Sequence, residues 1–247
     1  MTDPQQAAIY LGLDTLKALI LSIHVFSLFT EDAELQGFSL AEMWRHSLRT
    51  SKLARDIARS EVADEKVAEE AMIAGMLHDI GKLILLKVPR QYKKVTDFIE
   101  RTGCVPVEAE YTVMKTSHAE LGAYLLGLWG LPDNIIEPIA FHHNPSKLLE
   151  NMCIIRNEST RKDLGKTNSE DVNLKPLSVK RYSRGFTALT AVHIANALTM
   201  QENCSSNTTF FPHVDMLYLR TLNLTDKLPE WVECYNNAEQ QEVIGYV

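Results

Sequence analysis

The stretch Ala71-Met72-Ile73-Ala74-Gly75-Met76-Leu77-His78-Asp79-Ile80-Gly81-Lys82 opens with a run that carries no charge on any face of a helix. A helix that is apolar all round belongs at the centre of a bundle. Two groups able to ligate a metal, His78 and Asp79, follow it directly, and Lys82 stands one helical turn past His78. Polar ligands at the end of a buried element imply a site inside the molecule. The surrounding pattern predicts one helix from about Glu65 to Leu86.

Outward from that element the chain reads as helix after helix, with no alternating run that carries hairpin turn chemistry. Ser39-Leu40-Ala41-Glu42 has the form of a capping box, and the helix after it places Met43, His46, Thr50, Leu53 and Ile57 on one inward face. Helices are expected at 90–102 and 106–115. Ser117-His118-Ala119-Glu120 is a second capping box, opening a helix that reaches Trp129 with His118 in its first turn. A short helix runs from Pro132-Asp133 to Phe141, and Asn144-Pro145 closes the pair His142-His143. Residues 157–184 are polar and aperiodic and read as a loop or insertion. An apolar central helix follows at 187–202, then helices at 213–221 and 226–243, so that 205–247 forms a C-terminal helical extension. Residues 5–30 read as a further helix. The expectation is an all-α multi-helix bundle, one domain over 1–247.

Composition narrows the function classes. The chain has 247 residues, a net charge of −7 and a pI near 5.6, which argues against a broad nucleic-acid surface. Arg90, Lys93 and Lys94 are expected on a solvated helix face. Cys104, Cys153, Cys204 and Cys234 are scattered and form no C-x-x-C pair, which suits reduced thiols in a cytoplasm. No signal peptide is visible, and Asp14, Lys17 and His24 interrupt the apolar stretch from Ala7 to Phe29, so no membrane span is expected. Trp44, Trp129 and Trp231 are read as core anchors.

His46, the pair His78-Asp79, His118 and the pair His142-His143 come from several different helices, as a metal centre inside a bundle requires. Each alone is weak: a core histidine, a first-turn residue or a surface pair would explain it. Together they point to a metal pocket. Imidazoles around one carboxylate favour Fe, Mn or Zn over Ca or Mg, and an aspartate can bridge two such ions. Ions there would activate water and neutralise charge on a phosphoryl group, and Lys82 could reach an anionic ligand.

These residues resemble the HD superfamily of metal-dependent phosphohydrolases, and the flanking text resembles its HDOD branch, the HD-related output domain of bacterial signalling proteins. The resemblance is carried by Trp44-Arg45-His46-Ser47, the stretch Ala74 to Lys82, and His118-Ala119-Glu120-Leu121-Gly122. It continues in Trp129-Gly130-Leu131-Pro132 and His142-His143-Asn144-Pro145, and covers about residues 7–200. It implies an HD-domain-like bundle with Asp79 and Lys82 as the catalytic candidates and a helix of the type Ala191-Val192-His193-Ile194-Ala195-Asn196. Three departures stand out. HD enzymes usually place an aspartate where Asn196 stands; the resemblance then implies a weakened ion at His46, His78 and Asp79. The second ion, at Asp79, His118, His142 and His143, keeps every ligand. An interhelical hydrogen bond in the core is the plainer reading of Asn196. No Glu with a Gly-Tyr-Pro signature follows His142-His143, which speaks against the cyclic di-GMP phosphodiesterase branch. The chain opens at Ala7 to Leu13 with text like the middle of the family module, so upstream helices and a receiver or sensor domain are expected to be missing.

The leading expectation is a bacterial signalling output module that acts through protein or small-ligand contacts, with a partly degenerate pocket holding two metal ions, one or none. The rival is a working phosphohydrolase on a nucleotide or cyclic dinucleotide. A helical scaffold whose polar pocket only supports packing is the third. A signalling protein partner, a nucleotide ligand and a homodimer remain open expectations.

Overall fold

The computed structural model describes Ile20 and residues 38–151, 185–200 and 211–244. The expected helix at 5–30, the opening at Ala7 to Leu13, the insertion at 157–184, Cys153 and Cys204 lie outside the described residues. Among those described, helices dominate: α1 (Leu40–Glu61), α2 (Glu65–Leu77), α3 (Gly81–Leu86), α4 (Pro89–Thr102) and α5 (Pro106–Met114). Then come α6 (His118–Leu128), α7 (Asp133–Phe141), α8 (Ala188–Thr199), α9 (Met216–Thr221) and α10 (Leu228–Ile244). The all-α reading holds.

The bundle is built around α8, whose every residue is buried. It packs on α1, α2 and α7, while α1 and α2 lie against each other. Their approach is close because of one glycine. A Cβ added to Gly75 would stand 2.9 Å from Ser51 Cα, so the α1 and α2 backbones touch there, and Ser51 Oγ donates to Met72 O at 2.7 Å. On α1, Met43, Thr50, Leu53 and Ile57 are buried on the face that also carries His46. On the far side α10 packs on α1, with Trp231 fully buried and its Nε1–H donating to Glu61 at 3.0 Å.

Three expectations need correction. The helix predicted from Glu65 to Leu86 is broken at His78-Asp79-Ile80 into α2 and α3. The His78 Nδ1–H donates to Gly75 O at 2.7 Å, drawing on the carbonyl that a continuous helix would offer to the Asp79 amide. Tighter i→i+3 bonds take over, from Ile80 N–H to Leu77 O and from Lys82 N–H to Asp79 O. The two capping boxes are half-formed. Ser39 and Ser117 accept from the Glu42 and Glu120 amides at 3.2 Å, but the Glu120 carboxylate turns to the Tyr111 hydroxyl and to Thr116 instead of its cap residue. Of the three tryptophans, Trp231 is a core anchor, Trp44 is half-buried, and Trp129 is exposed. Arg90, Lys93 and Lys94 lie exposed on α4 as expected, and Lys93 pairs with Asp97 at 2.9 Å.

The contact that sets the site is backbone to backbone. A Cβ on Gly81 would fall 1.9 Å from His118 O, and one on Gly122 would lie 3.1 Å from Gly81 N. The start of α3 is thereby pressed onto the first turn of α6. Asp79 and His118 meet as a result.

Candidate metal centre

His78 and His142 are each aimed by the end of the helix that precedes them. His78 follows α2 and returns its Nδ1–H to Gly75 O at 2.7 Å; His142 follows α7 and returns its Nδ1–H to Ile139 O at 2.8 Å. In both cases a carbonyl that a helix C-terminus would leave unsatisfied gains a donor. Both Nε2 lone pairs then point inward. His118, at the first position of α6, is oriented from outside its helix: Glu110 on α5 accepts from its Nδ1–H at 2.7 Å and from its backbone N–H at 2.8 Å. Its Nε2 lies 3.2 Å from Asp79 Oδ1 and 3.0 Å from His143 Nε2.

The predicted residues all meet. Asp79, His118, His142 and His143 form one group of mutually close ligand atoms, His46, His78 and Asp79 a second, all within 4.8 Å of one another in each group. Asp79 belongs to both and divides its oxygens between them. Oδ1 faces His118; Oδ2 lies 3.4 Å from His78 Nε2 and 3.9 Å from His46 Nε2. The two halves differ. In the second, the Lys82 ammonium sits 2.6 Å from Asp79 Oδ2, and Asn196 Oδ1 lies 3.0 Å from His46 Nε2. The interhelical hydrogen bond expected for Asn196 is therefore present. In the first half the short contacts, such as His118 Nε2 to His143 Nε2, are among the candidate ligands themselves, and among the described residues the buried His142 Nε2 has no hydrogen-bond partner. A buried acceptor left empty is costly unless an electrophile takes it.

Electrostatics favour the neutral form of four of the five clustered imidazoles, His118 being the exception. Burial lowers the His78 pKa to about 4, and pushes His142 and His143 well below the ordinary histidine value. His46 is lowered too, mainly by burial, against the pull of Asp79. Burial acts on His118 in the same direction, but its bonds to Asp79 and Glu110 outweigh it and raise the pKa. For Asp79 burial alone would favour the neutral acid; His78, Lys82 and His118 reverse that and hold the carboxyl well below its usual range. Once the proton shared by His118 and Asp79 is displaced, neutral imidazoles around an ionised carboxylate are what a borderline divalent ion takes as ligands. The residues fit such an ion. His46 and Lys82, with 23% and 30% of their side chains exposed, mark the side open to solvent.

Two residues went unnoticed in the sequence as parts of this site. Glu110 is one; nothing in Pro106-Val107-Glu108-Ala109-Glu110 distinguishes it from the exposed Glu108. His193 is the other. It is buried on α8, donates from Nδ1 to His142 O at 2.6 Å and accepts at Nε2 from the Asp215 N–H at 2.8 Å. It braces the turn that presents His142 and His143.

Known proteins resemble this chain in sequence and fold. A model of the HDOD domain matches residues 1–145. An uncharacterized protein of Treponema pallidum (strain Nichols) is 28% identical over 145 residues, 58% of this chain and 27% of that protein, so the chain spans about a quarter of its relative's length. The solved structure of a presumed phosphohydrolase from Shewanella amazonensis SB2B superposes with a TM-score of 0.57 at 17% identity, covering 96% of this chain and 73% of its own. An HDOD domain protein of unknown function from Geobacter sulfurreducens gives 0.46 at 20% identity, over 94% and 72% of the two chains. The fold is that of HD-domain-like proteins, and with the HDOD model matching more than half of its length the chain belongs to the HDOD family.

Proposed function

We propose that the chain is a signalling output module whose centre holds one divalent transition ion, Fe, Mn or Zn, as a bound ligand. One observation carries this reading: the asymmetry of the two halves. Asp79, His118, His142 and His143 present converging donors, including the partnerless His142 Nε2. In the other half Asn196 occupies His46, and the Lys82 charge occupies Asp79 Oδ2. An ammonium ion against that oxygen opposes a second cation by charge alone. The natural partner is a signalling protein or an upstream receiver or sensor domain, in a bacterial cytoplasm. Among the described residues no helix is long and apolar enough to cross a membrane.

Metal analysis of protein purified without chelators or a histidine tag tests this, beside Asp79→Ala. The expected result is close to one equivalent of ion in the natural protein, lost in the variant, and a second equivalent acquired by Asn196→Asp. A folded natural protein that neither carries nor accepts an ion would overturn it.

A second reading, phosphohydrolysis of a nucleotide or cyclic dinucleotide, is favoured by Lys82, whose ammonium stands at the solvent-facing side beside Asp79. There Lys82 would hold a phosphoryl oxygen, Asp79, His118, His142 and His143 would retain the ion, and the ion would supply Lewis-acid stabilisation of the developing charge. Turnover by the unmodified, metal-loaded protein, abolished by Asp79→Ala, would replace the output-only reading. Turnover gained only with Asn196→Asp would mark a module retired from catalysis.

A further inference from the structure

Helix α5 is an unexpected place for a buried carboxylate. Among the described residues it packs chiefly on α4, which in turn packs on α3. Val95 is the buried residue of α4, and α5 buries Ala109 and Glu110. The α4–α5 hairpin, turned by Gly103 with φ +68° and restarted by Pro106 at the first position of α5, thus buries few side chains completely, although Tyr92 also packs on the core. What it inserts is an acid with 3% exposure. A buried carboxylate without donors is strongly disfavoured. Glu110 has two, both from His118: the backbone N–H and the Nδ1–H. An apolar side chain would pack α5 at lower cost, so the acid is explained by what it does to His118.

We infer that Glu110 is a positioning residue for the ion, and that it couples metal occupancy to the seating of the α4–α5 hairpin. The coupling rests on the metal-holding reading above; the positioning of His118 does not. By accepting the Nδ1–H at 2.7 Å, Glu110 competes with Asp79 Oδ1, 3.2 Å from Nε2, for the ring proton and favours the tautomer that frees the Nε2 lone pair for an ion. A carboxylate on the far nitrogen also makes the imidazole a stronger donor. The same bond works in reverse. An ion drawing on Nε2 acidifies the Nδ1–H and tightens its hold on Glu110, pulling α5 onto α6. Occupancy is thereby converted into the position of a surface hairpin, a form of output a partner can read.

The test compares natural protein with Glu110→Gln, with Glu108→Gln as the exposed control on the same helix and Glu110→Asp to retain a carboxylate. Nitrogen-15 histidine spectra of the metal-stripped protein at alkaline pH report the tautomer. His118 is expected as the Nδ1–H form in the natural protein and Glu108→Gln, and as a mixture in Glu110→Gln. Cobalt(II) titration by visible absorption should show about 10- to 100-fold weaker binding in Glu110→Gln, with part of the loss recovered by Glu110→Asp. Hydrogen exchange should show α5 amides protected on cobalt binding in the natural protein and not in Glu110→Gln.

An unchanged His118 tautomer in Glu110→Gln overturns the positioning role, even if that variant is less stable. Equal cobalt affinity, or α5 protection that ignores the ion, overturns the coupling while leaving the metal-holding reading intact. Natural protein that binds no cobalt removes the coupling and that reading together, and the tautomer still decides the positioning role.

Discussion

His78 and His142 each serve two masters with one ring. The Nδ1–H closes the helix that precedes it, and the Nε2 faces the centre. Gly81 works by subtraction, since its missing Cβ leaves room for His118 O. Gly81→Ala should therefore destabilise the fold by about 1–3 kcal/mol or more, because the colliding atom is backbone and has no alternative rotamer; chemical denaturation measures it. Asn196→Asp should raise cation uptake in the half bounded by His46 and His78, read by metal stoichiometry. The cluster was legible in the sequence because histidines on several helices, one beside an aspartate, are rare as a set. Glu110 was not, since its partner lies on another helix and its neighbour Glu108 differs only in the direction it faces. His193 was visible only as part of an apolar helix, and its role is created by the distant Asp215 and His142.

At the level of elements, helix starts were the most readable features. Ser39 and Ser117, both read as caps, each cap a helix through the side-chain oxygen. Ser117→Ala should cost about 1 kcal/mol, and because α6 delivers His118 it should also weaken metal binding; a thermal melt with and without cobalt separates the two effects. The break after Leu77 was hidden because Ile80, Leu83, Leu85 and Leu86 continue a buried apolar pattern straight through it. Periodicity reports which residues go inside, and is blind to a ring that captures a backbone carbonyl. For Trp129 the error ran the other way. The helix before it carries no charge after Glu120, yet Tyr124, Leu128 and Trp129 are exposed among the described residues.

For the molecule as a whole, the buried imidazoles make stability depend on pH. His78 titrates near its ordinary 6.5 when unfolded and at about 4 when folded. A folded value below the unfolded one means that stability is fully present above pH 6.5 and is lost as pH falls through that window. The loss for His78 alone is about 3 kcal/mol. His46, His142 and His143 are shifted in the same direction, while the raised His118 opposes them. Metal-stripped protein should thus melt at progressively lower temperature as pH drops from 7 toward 4. Bound ion should raise the melting temperature most at the upper end, since protons compete for the same lone pairs. A melting temperature flat across that range would show that the rings are already hydrated.

The glycines have a consequence for anyone wishing to transplant this centre. Copying the histidines and the aspartate into an idealised helical scaffold would reproduce the donors at the wrong spacing. At Gly75 and Gly81 a methyl group would wedge neighbouring backbones apart. The blueprint of the cage includes two positions that touch no ligand atom, and a graft that omits them would hold its donors too far apart to close around an ion.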